Sequence, residues 1–417
     1  MKSDSAEIWD VVVIGGGPAG MMAAGRAGAK GARVLLLEKN SDLGRKLLLT
    51  GGGRCNLTNA EPDEKILLSK YGPADKFLFS AFARFGVKET LDFFQTHGVE
   101  TKIEPGYRVF PVTERSQIVL NALIKYLQVG QVKIMTGATV VGFVAQNEAL
   151  EAVKLASGEQ IRAKSFVLAT GGKSHRETGS TGDGFVWLKT LGHQVIEPSA
   201  ALVPVAIRDA WVKKLSGVSL DQAKLTILID GVKQKDKKGK ILFTHFGLSG
   251  PLVLNLSREI GQWQKEGEVT LSLDILPEFG FDQLNAKLQE IFKQNSNKKL
   301  KNSLGLLMPE AMVEPGLKLV EIEADTFCHS VTREERQRLV KGLKAWPMTV
   351  DRLLGLDDAV VTSGGVDLTE VDFKTMRSKL YLNLYLVGDV LNIDRPSGGF
   401  SLQLCWTTGY LAGEACV

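Results

Sequence analysis

An apolar run that breaks into three glycines and a proline constrains this chain more than any other feature. Residues 10 to 20 read DVVVIGGGPAG, and MMAAGRAGAKG follows with small and apolar residues at helical spacing. Residues 33 to 38, RVLLLE, form a second apolar run that ends in an acid. The spacing predicts a strand, a tight turn, a helix and a parallel strand, with Gly15, Gly17 and Gly20 as a G-x-G-x-x-G turn. Gly15 permits the turn, Gly17 lets a pyrophosphate come close, and Gly20 lets the helix pack tightly on the strand. Around Pro18 and Ala19 the first peptide N–H groups of the helix are unpaired and sit at the positive end of its dipole, which suits phosphate. Glu38 closes the second strand where it can accept bonds from both hydroxyls of a ribose, with Lys39 beside it. A lone glycine motif says little, but here strand, glycines, helix, strand and acid follow in order. The carboxylate repels a 2′-phosphate, so NADP is disfavoured and FAD or NAD remain.

Three later stretches favour FAD. SFVLATGG (165 to 172) reads as a strand ending in Ala169, Thr170 and Gly171. LYLVGDV (384 to 390) is another, ending in Gly388 and Asp389. PSGGFSLQLCWTTGYLAG (396 to 413) sets Gly398 and Gly399 before a helix that starts near Phe400 and Ser401. NAD has no need of the last two. The ribitol hydroxyls of FAD suit a carboxylate such as Asp389. The N1–C2=O edge of its ring gains negative charge on reduction, which a helix N-terminus stabilises.

LLLTGGGRCNLTN (47 to 59), FTHFGLSGP (243 to 251), TSGGV (362 to 366) and VGDVLNIDRPSGGFSLQLCWTTG (387 to 409) carry a wider likeness. Together they resemble the BaiN-like, or aminoacetone-oxidase-like, bacterial FAD-binding flavoproteins, distant relatives of fumarate reductase flavoprotein subunits. The resemblance covers nearly the whole chain. It implies an α/β fold: a Rossmann-like FAD-binding domain of the two-dinucleotide-binding-domain type. It also implies that Gly51, Gly52 and Gly53 pass along the flavin, since backbone N–H groups there approach ribitol and ring with no Cβ in the way. Thr50, Cys55 and Asn56 flank that contact. Arg45 and Lys46 become candidates for phosphate, and Arg54 for the flavin edge or a substrate carboxylate. Cys55 has two readings, a small inert thiol or a reactive one, and the first leads because no second thiol is placed to resolve it. The backbone of Val140 would meet the adenine. TGSTGDGFVWLKTLGH (178 to 193) matches a Thr-Gly-Asp-Gly element of fumarate reductase relatives, with Asp183 read as a helix N-cap rather than a catalyst. One departure stands out: relatives carry Asp-Gly-Pro where this chain has Asp394-Arg395-Pro396. Arg395 therefore puts a large cation near the presumed flavin edge and is a candidate catalytic residue.

Between about 195 and 360 the texture changes to short β-like runs and then amphipathic helices such as FDQLNAKLQEIFKQ. The expected division is an FAD-binding domain at 1–194 and 360–417, a β-barrel-like insert at 195–280 and 346–359, and a helical subdomain at 281–345. KLTILIDGVKQKDKKGKILF (224 to 243) reads as a hairpin with a charged tip. His245 is the best general acid or base of the insert, since histidine titrates near neutrality; alternatively it fixes a glycine-rich turn. Tyr107 and Arg108 are pocket candidates. The basic stretches KQKDKKGK and NSNKKLKNS read as solvated surface, with an RNA or partner contact as the alternative.

At 417 residues the chain exceeds what one core holds. A net charge of +4 is too small to argue for nucleic acid by itself, so none is the expected partner. Cys55, Cys328, Cys405 and Cys416 form no C-x-x-C, which disfavours a zinc or dithiol site. The start of the sequence lacks a secretory pattern, and VVVI is too short to cross a bilayer. The expectation is a cytoplasmic FAD-dependent oxidoreductase that moves hydride between a small organic substrate and flavin N5. No second glycine fingerprint follows, so NAD(P)H would visit the same pocket as a transient reductant, or electrons would leave to oxygen or a carrier. Two reactions stay open: reduction or dehydrogenation of a C=C bond next to a carbonyl, and oxidation of an aminoacetone-type amine by oxygen. A third reading is an RNA-associated flavoprotein that uses the basic insert.

Overall fold

The computed structural model describes residues 8–417. Strand β1 (Ile8–Ile14), helix α1 (Pro18–Ala29) and strand β2 (Val34–Leu37) form the expected opening unit. The two strands are parallel, with Val11 opposite Val34 and Ile14 opposite Leu37. Val11, Val12 and Val13 are fully buried. A strand covered on both faces reads as a continuous apolar run rather than an alternating one.

The sheet runs in the order Lys133–Met135, β2, β1, Gln160–Leu168, Ala149–Leu155, Val140–Gln146. Leu384–Leu386, from the far end of the sequence, also pairs in parallel with Gln160–Leu168. Strand β1, Gln160–Leu168 and Leu384–Leu386 thus point the same way. Their carboxyl ends, at Gly15, Ala169 and Val387, open on one edge of the sheet, where open α/β sheets bind ligands. The C-terminal helix Phe400–Ala415 lies against α1. A Cβ at Gly409 would sit 2.5 Å from the carbonyl of Ala19, and one at Gly413 2.5 Å from that of Ala23. Small residues at that spacing let the two backbones touch.

The chain divides into two compact units. The first runs to Ala200 and resumes at Ala359; the second is Ala201–Asp358. The sequence reading put the crossings near 194 and 360. The difference arises because Val195–Ala201 pairs with Val361–Val366 in a two-stranded sheet that stays with the first unit. The second unit holds a closed barrel ordered Val205–Ile207, Gly247–Ser249, Val232–Phe243, Ser219–Ile229, Val269–Asp274, Trp346–Leu353. Helices Pro251–Trp263, Phe281–Gln294, Glu310–Leu319 and Arg333–Lys344 share its apolar core.

The hairpin differs from the sequence reading in one respect. Its tip is Asp230-Gly231, with Ile229 opposite Val232. Both tip residues are left-handed, at φ 47° and 81°, which matches the twist of the flanking strands. The lysine-rich stretch is therefore not the tip but most of the strand Val232–Phe243. Antiparallel pairing with Ser219–Ile229 along its length extends that strand through residues whose own β-propensity is low.

Candidate functional site

At the carboxyl edge of the sheet, wholly within the first unit, lies a cavity of about 1230 Å³, mouth included. Two helix starts with no charged first residue face it, those of α1 and Phe400–Ala415. At α1, Gly17 is the N-cap, in an extended conformation with no side chain capping the helix. A Cβ there would meet nothing within 4 Å, so the bare N–H groups face open space. Gly15 and Gly20 have the opposite reason to be glycine. A Cβ at Gly15 would lie 2.4 Å from the carbonyl of Ala169, and one at Gly20 1.9 Å from that of Gly15. Gly15, Pro18 and Ala19 line the cavity; Gly20 packs behind them.

At one end Glu38 is buried, and both of its oxygens are held. Oε2 accepts from the Gly16 N–H at 2.8 Å, and Oε1 accepts from the backbone and side-chain nitrogens of Asn40 at 2.8 and 2.7 Å. The carboxylate is fixed in direction, and its one remaining lone pair, on Oε2, stays available to a ribose. Val140 lines this end, as does Lys39. Lys39 Nζ donates to Thr181 Oγ1 at 2.6 Å and pairs with Asp183 at 2.9 Å. Asp183 is not the expected N-cap: Gly182, at φ 85°, holds that position and Asp183 is the first helical residue. Its carboxylate instead ties the loop to Lys39.

Ala169, Thr170 and Gly171 form the floor. Thr170 Oγ1 is buried with no hydrogen-bond partner. An orphaned hydroxyl beside an uncapped helix start and a glycine cradle is what an elongated dinucleotide would satisfy. The residues present therefore fit FAD. Arg45 lines the cavity but donates to Ser41 Oγ at 2.8 Å and lies near Asp42. Lys46 Nζ donates to Ser174 Oγ at 2.7 Å. Burial holds the Lys46 ammonium below its ordinary pKa, while Asp389 pulls the other way.

The second helix start belongs to Phe400–Ala415, whose Ser401 lines the cavity. Gly399 is its N-cap at φ 103°, and a Cβ there would lie 2.2 Å from the carbonyl of Thr58. Gly398, at φ 123°, accepts a 3.0 Å bond at its carbonyl from Asn59. Phe400 packs edge-on against Tyr71. Gly388 and Asp389 line the cavity, and Asp389 forms an ion pair with Arg395. Arg395 is 6% exposed, donates from Nη1 to the Ile393 carbonyl at 2.7 Å and from Nε to Ser401 Oγ at 3.0 Å. Burial pushes the Asp389 pKa up, but Arg395 and Lys46 outweigh it and hold the carboxyl below its usual range.

The segment 50–56 divides. Thr50 lines the cavity, whereas Gly51, Gly52, Gly53, Cys55 and Asn56 are not among its lining residues. The three glycines take φ 59°, 67° and 85°, and Cys55 follows at 61°. The three glycines are a left-handed stretch that β-carbons would strain, and Arg54, at φ −92°, separates them from Cys55. The Cys55 thiol is fully buried and pushed up to about 12 by burial, against a bond from Thr50. Arg54 points elsewhere: it pairs with Glu104 and, at 3.3 Å, with Glu114, and its guanidinium lies 4.1 Å from the Phe110 ring centre. Arg108 and Tyr107 belong to the same small sheet region. His245 is exposed in the second unit. The bonds that close its turn run through Thr244, whose backbone N–H donates to Gly247 at 2.8 Å and whose hydroxyl accepts from Gly247 at 3.2 Å. Sequence reasoning missed Asn40, Val361 and Cys405 in the lining. Asn40 was within reach, two residues past Glu38; Cys405 faces inward only because of the phase of its helix. The Cys405 thiol is also pushed up to about 12 by burial.

A parallel sheet whose carboxyl edge carries two uncapped helix starts, a buried and doubly held acid and a buried cation suits an elongated dinucleotide, and the relatives below make the class an FAD-dependent oxidoreductase. The chain belongs to the HI0933-like family: the HI0933-like protein Rossmann domain matches residues 9–415. It is 32% identical to a 3-dehydro-bile acid delta(4,6)-reductase of Clostridium scindens, over 97% of this chain and 98% of that one. It is 30% identical to the ribosomal RNA dihydrouridine synthase of Escherichia coli, over 98% of each. Its fold is similar to that of a 3-ketosteroid-delta4-(5alpha)-dehydrogenase from Rhodococcus jostii RHA1, at a TM-score of 0.58 and 15% identity, covering 100% of this chain and 98% of that one. No helix of the described residues is long and apolar enough to cross a membrane.

Proposed function

We propose that this oxidoreductase saturates a carbon–carbon double bond conjugated to a carbonyl. One observation carries the reading: two full-length relatives with unlike substrates are named for the same chemistry. A 3-oxo-4,6-diene and a uracil each present an electron-poor alkene beside a C=O, and both names describe its saturation. Bound FAD supplies the hydride that such a β-carbon accepts. The chain's own groups do the rest. The start of α1 holds the diphosphate through bare N–H groups, and Glu38 orients the ribose. The start of Phe400–Ala415 favours negative charge at the end of the cavity it faces. Cys55 and Cys405 stay neutral at physiological pH, so neither thiol is primed to attack an electrophilic alkene.

Substrate class follows from the relatives in two forms, a steroid-like enone and an RNA uracil. The lysines of the barrel strand weigh against a broad phosphate-binding face there. Lys233 pairs with Asp236 at 2.7 Å, Lys235 with Glu259 at 2.6 Å and Lys240 with Asp221 at 2.7 Å. Lys299 and Lys301 share Asp325. The test is anaerobic. FAD-loaded enzyme is photoreduced and mixed separately with a 3-oxo-4-ene steroid, a uridine-containing ribosomal RNA fragment, and buffer. Reoxidation by either alkene, with the saturated product recovered, supports the reading. Reoxidation by oxygen alone, with aminoacetone as the reductant that turns over, would replace it with an amine oxidase.

A further inference from the structure

Of the starts of α1 and Phe400–Ala415, only the second carries a built-in guanidinium. The pyrophosphate end is α1, where the glycine fingerprint lies and no side chain caps the helix. Arg395 instead bonds Ser401, the second residue of Phe400–Ala415, at 3.0 Å. All three of its nitrogens are engaged, by Ser401, Ile393 and Asp389, and its side chain is 1% exposed. The guanidinium is locked rather than mobile. Lys46 is a second cation acting on the same carboxylate, Asp389. Glu177, a further carboxylate within range of Lys46, is 61% exposed and pairs with His175 at 3.0 Å. One buried cation, Arg395, is thus ion-paired with a buried carboxylate at a helix start whose dipole is also positive, and Lys46 lines the same cavity. Burying such charge is costly unless an anion answers it.

We propose that Arg395 sets the reduction potential of the bound flavin: its fixed charge favours the reduced, more negative ring over the oxidised one. The inference rests on the FAD reading above and deepens it. With the N1–C2=O edge bound at this helix start, the dipole and the guanidinium would act on it together, so arginine here would hold reduced flavin more tightly than an uncharged residue. Arg395 acts through charge and need not touch the reacting carbon; it is a positioning residue for electrons rather than a catalytic residue.

The experiment uses FAD-loaded full chain and measures the midpoint potential by dye equilibration and the affinity for sulfite, which adds to electron-poor flavin. Arg395→Gly and Arg395→Gln are expected to lower the preference for reduced over oxidised FAD by at least ~10-fold, about 30 mV for a two-electron couple. Sulfite affinity should fall in parallel. Arg395→Lys should keep most of both, and Asp389→Asn should move both in the opposite direction. Opposite signs for loss of the cation and loss of the anion are something a packing role would not produce. An unchanged potential in Arg395→Gly and Arg395→Gln overturns the proposal. So does weaker FAD binding at unchanged potential, which would make Arg395 a phosphate contact. Should Arg395→Gly fail to fold, the Lys and Gln variants decide by the same two readouts. Wild-type chain that takes up no FAD would sink the cofactor reading itself, before any variant is compared.

Discussion

Glu38 shows how far a single residue can be read from its neighbours. Its place at the end of β2 follows from a local strand–turn–helix–strand pattern, so its position at the edge of the sheet was legible without any long-range contact. The structure adds that both oxygens are already oriented, by Gly16 and Asn40. Glu38→Ala should weaken FAD binding at least ~10-fold, since a charge-assisted bond contributes about 1.5–3 kcal/mol. Equilibrium dialysis with FAD checks this, and an unchanged dissociation constant would remove the ribose role. Cys55 gives a second residue-scale expectation. With its thiol pushed up to about 12, the thiolate fraction at pH 8 is negligible. Iodoacetamide should leave Cys55 unmodified in the native protein and alkylate it after denaturation. Native labelling at Cys55 would revive the reactive reading. Arg395 was legible as an oddity but not as half of an ion pair, because the turn that brings it to Asp389 is dictated by packing around Ile393 and Ser401.

Elements were legible where the pattern is periodic and less so where pairing overrides propensity. The Asp230-Gly231 pair is a strong two-residue hairpin signal, yet the lysines after it read as the charged tip of the hairpin. They are a strand because Ser219–Ile229 pairs with them residue by residue across the hairpin. Gly231→Val should destabilise the protein by about 1–2 kcal/mol, the cost of a left-handed conformation for a residue with a β-carbon. Urea unfolding followed by circular dichroism would register a lower midpoint at unchanged slope. No shift would mean the hairpin rearranges around a different turn. Left-handed glycines at 51 to 53 behave similarly in sequence but differ in outcome. Their conformation was anticipated by composition; that only Thr50 of the segment lines the cavity depends on how the segment folds back against Asn56 and Phe110.

At the scale of the molecule, the two units have separate cores and unequal continuity. The second, Ala201–Asp358, is one unbroken stretch with a closed barrel. Expressed alone, 201–358 should fold cooperatively and bind no FAD, as seen by thermal circular dichroism and the absence of flavin absorbance. Residues 1–200 alone should fail to retain FAD, because Asp389, Arg395 and Ser401 come from the other side of the insertion. A yellow 1–200 fragment after desalting would show that the C-terminal segment is dispensable for cofactor binding.

By itself the sequence determined the opening nucleotide-binding unit, the return of the chain to it near 360, and a barrel-bearing insertion between. These follow from local periodicity and glycine spacing, which act over a few residues. Only the tertiary structure decided that Leu384–Leu386 joins the sheet beside Gln160–Leu168, which sets Asp389 and Arg395 over a cavity begun by Gly15. It also decided which side chains on each helix face inward, as with Cys405. Those outcomes depend on burial shared between segments hundreds of residues apart, and no local pattern encodes a contact whose partner lies that far along the chain.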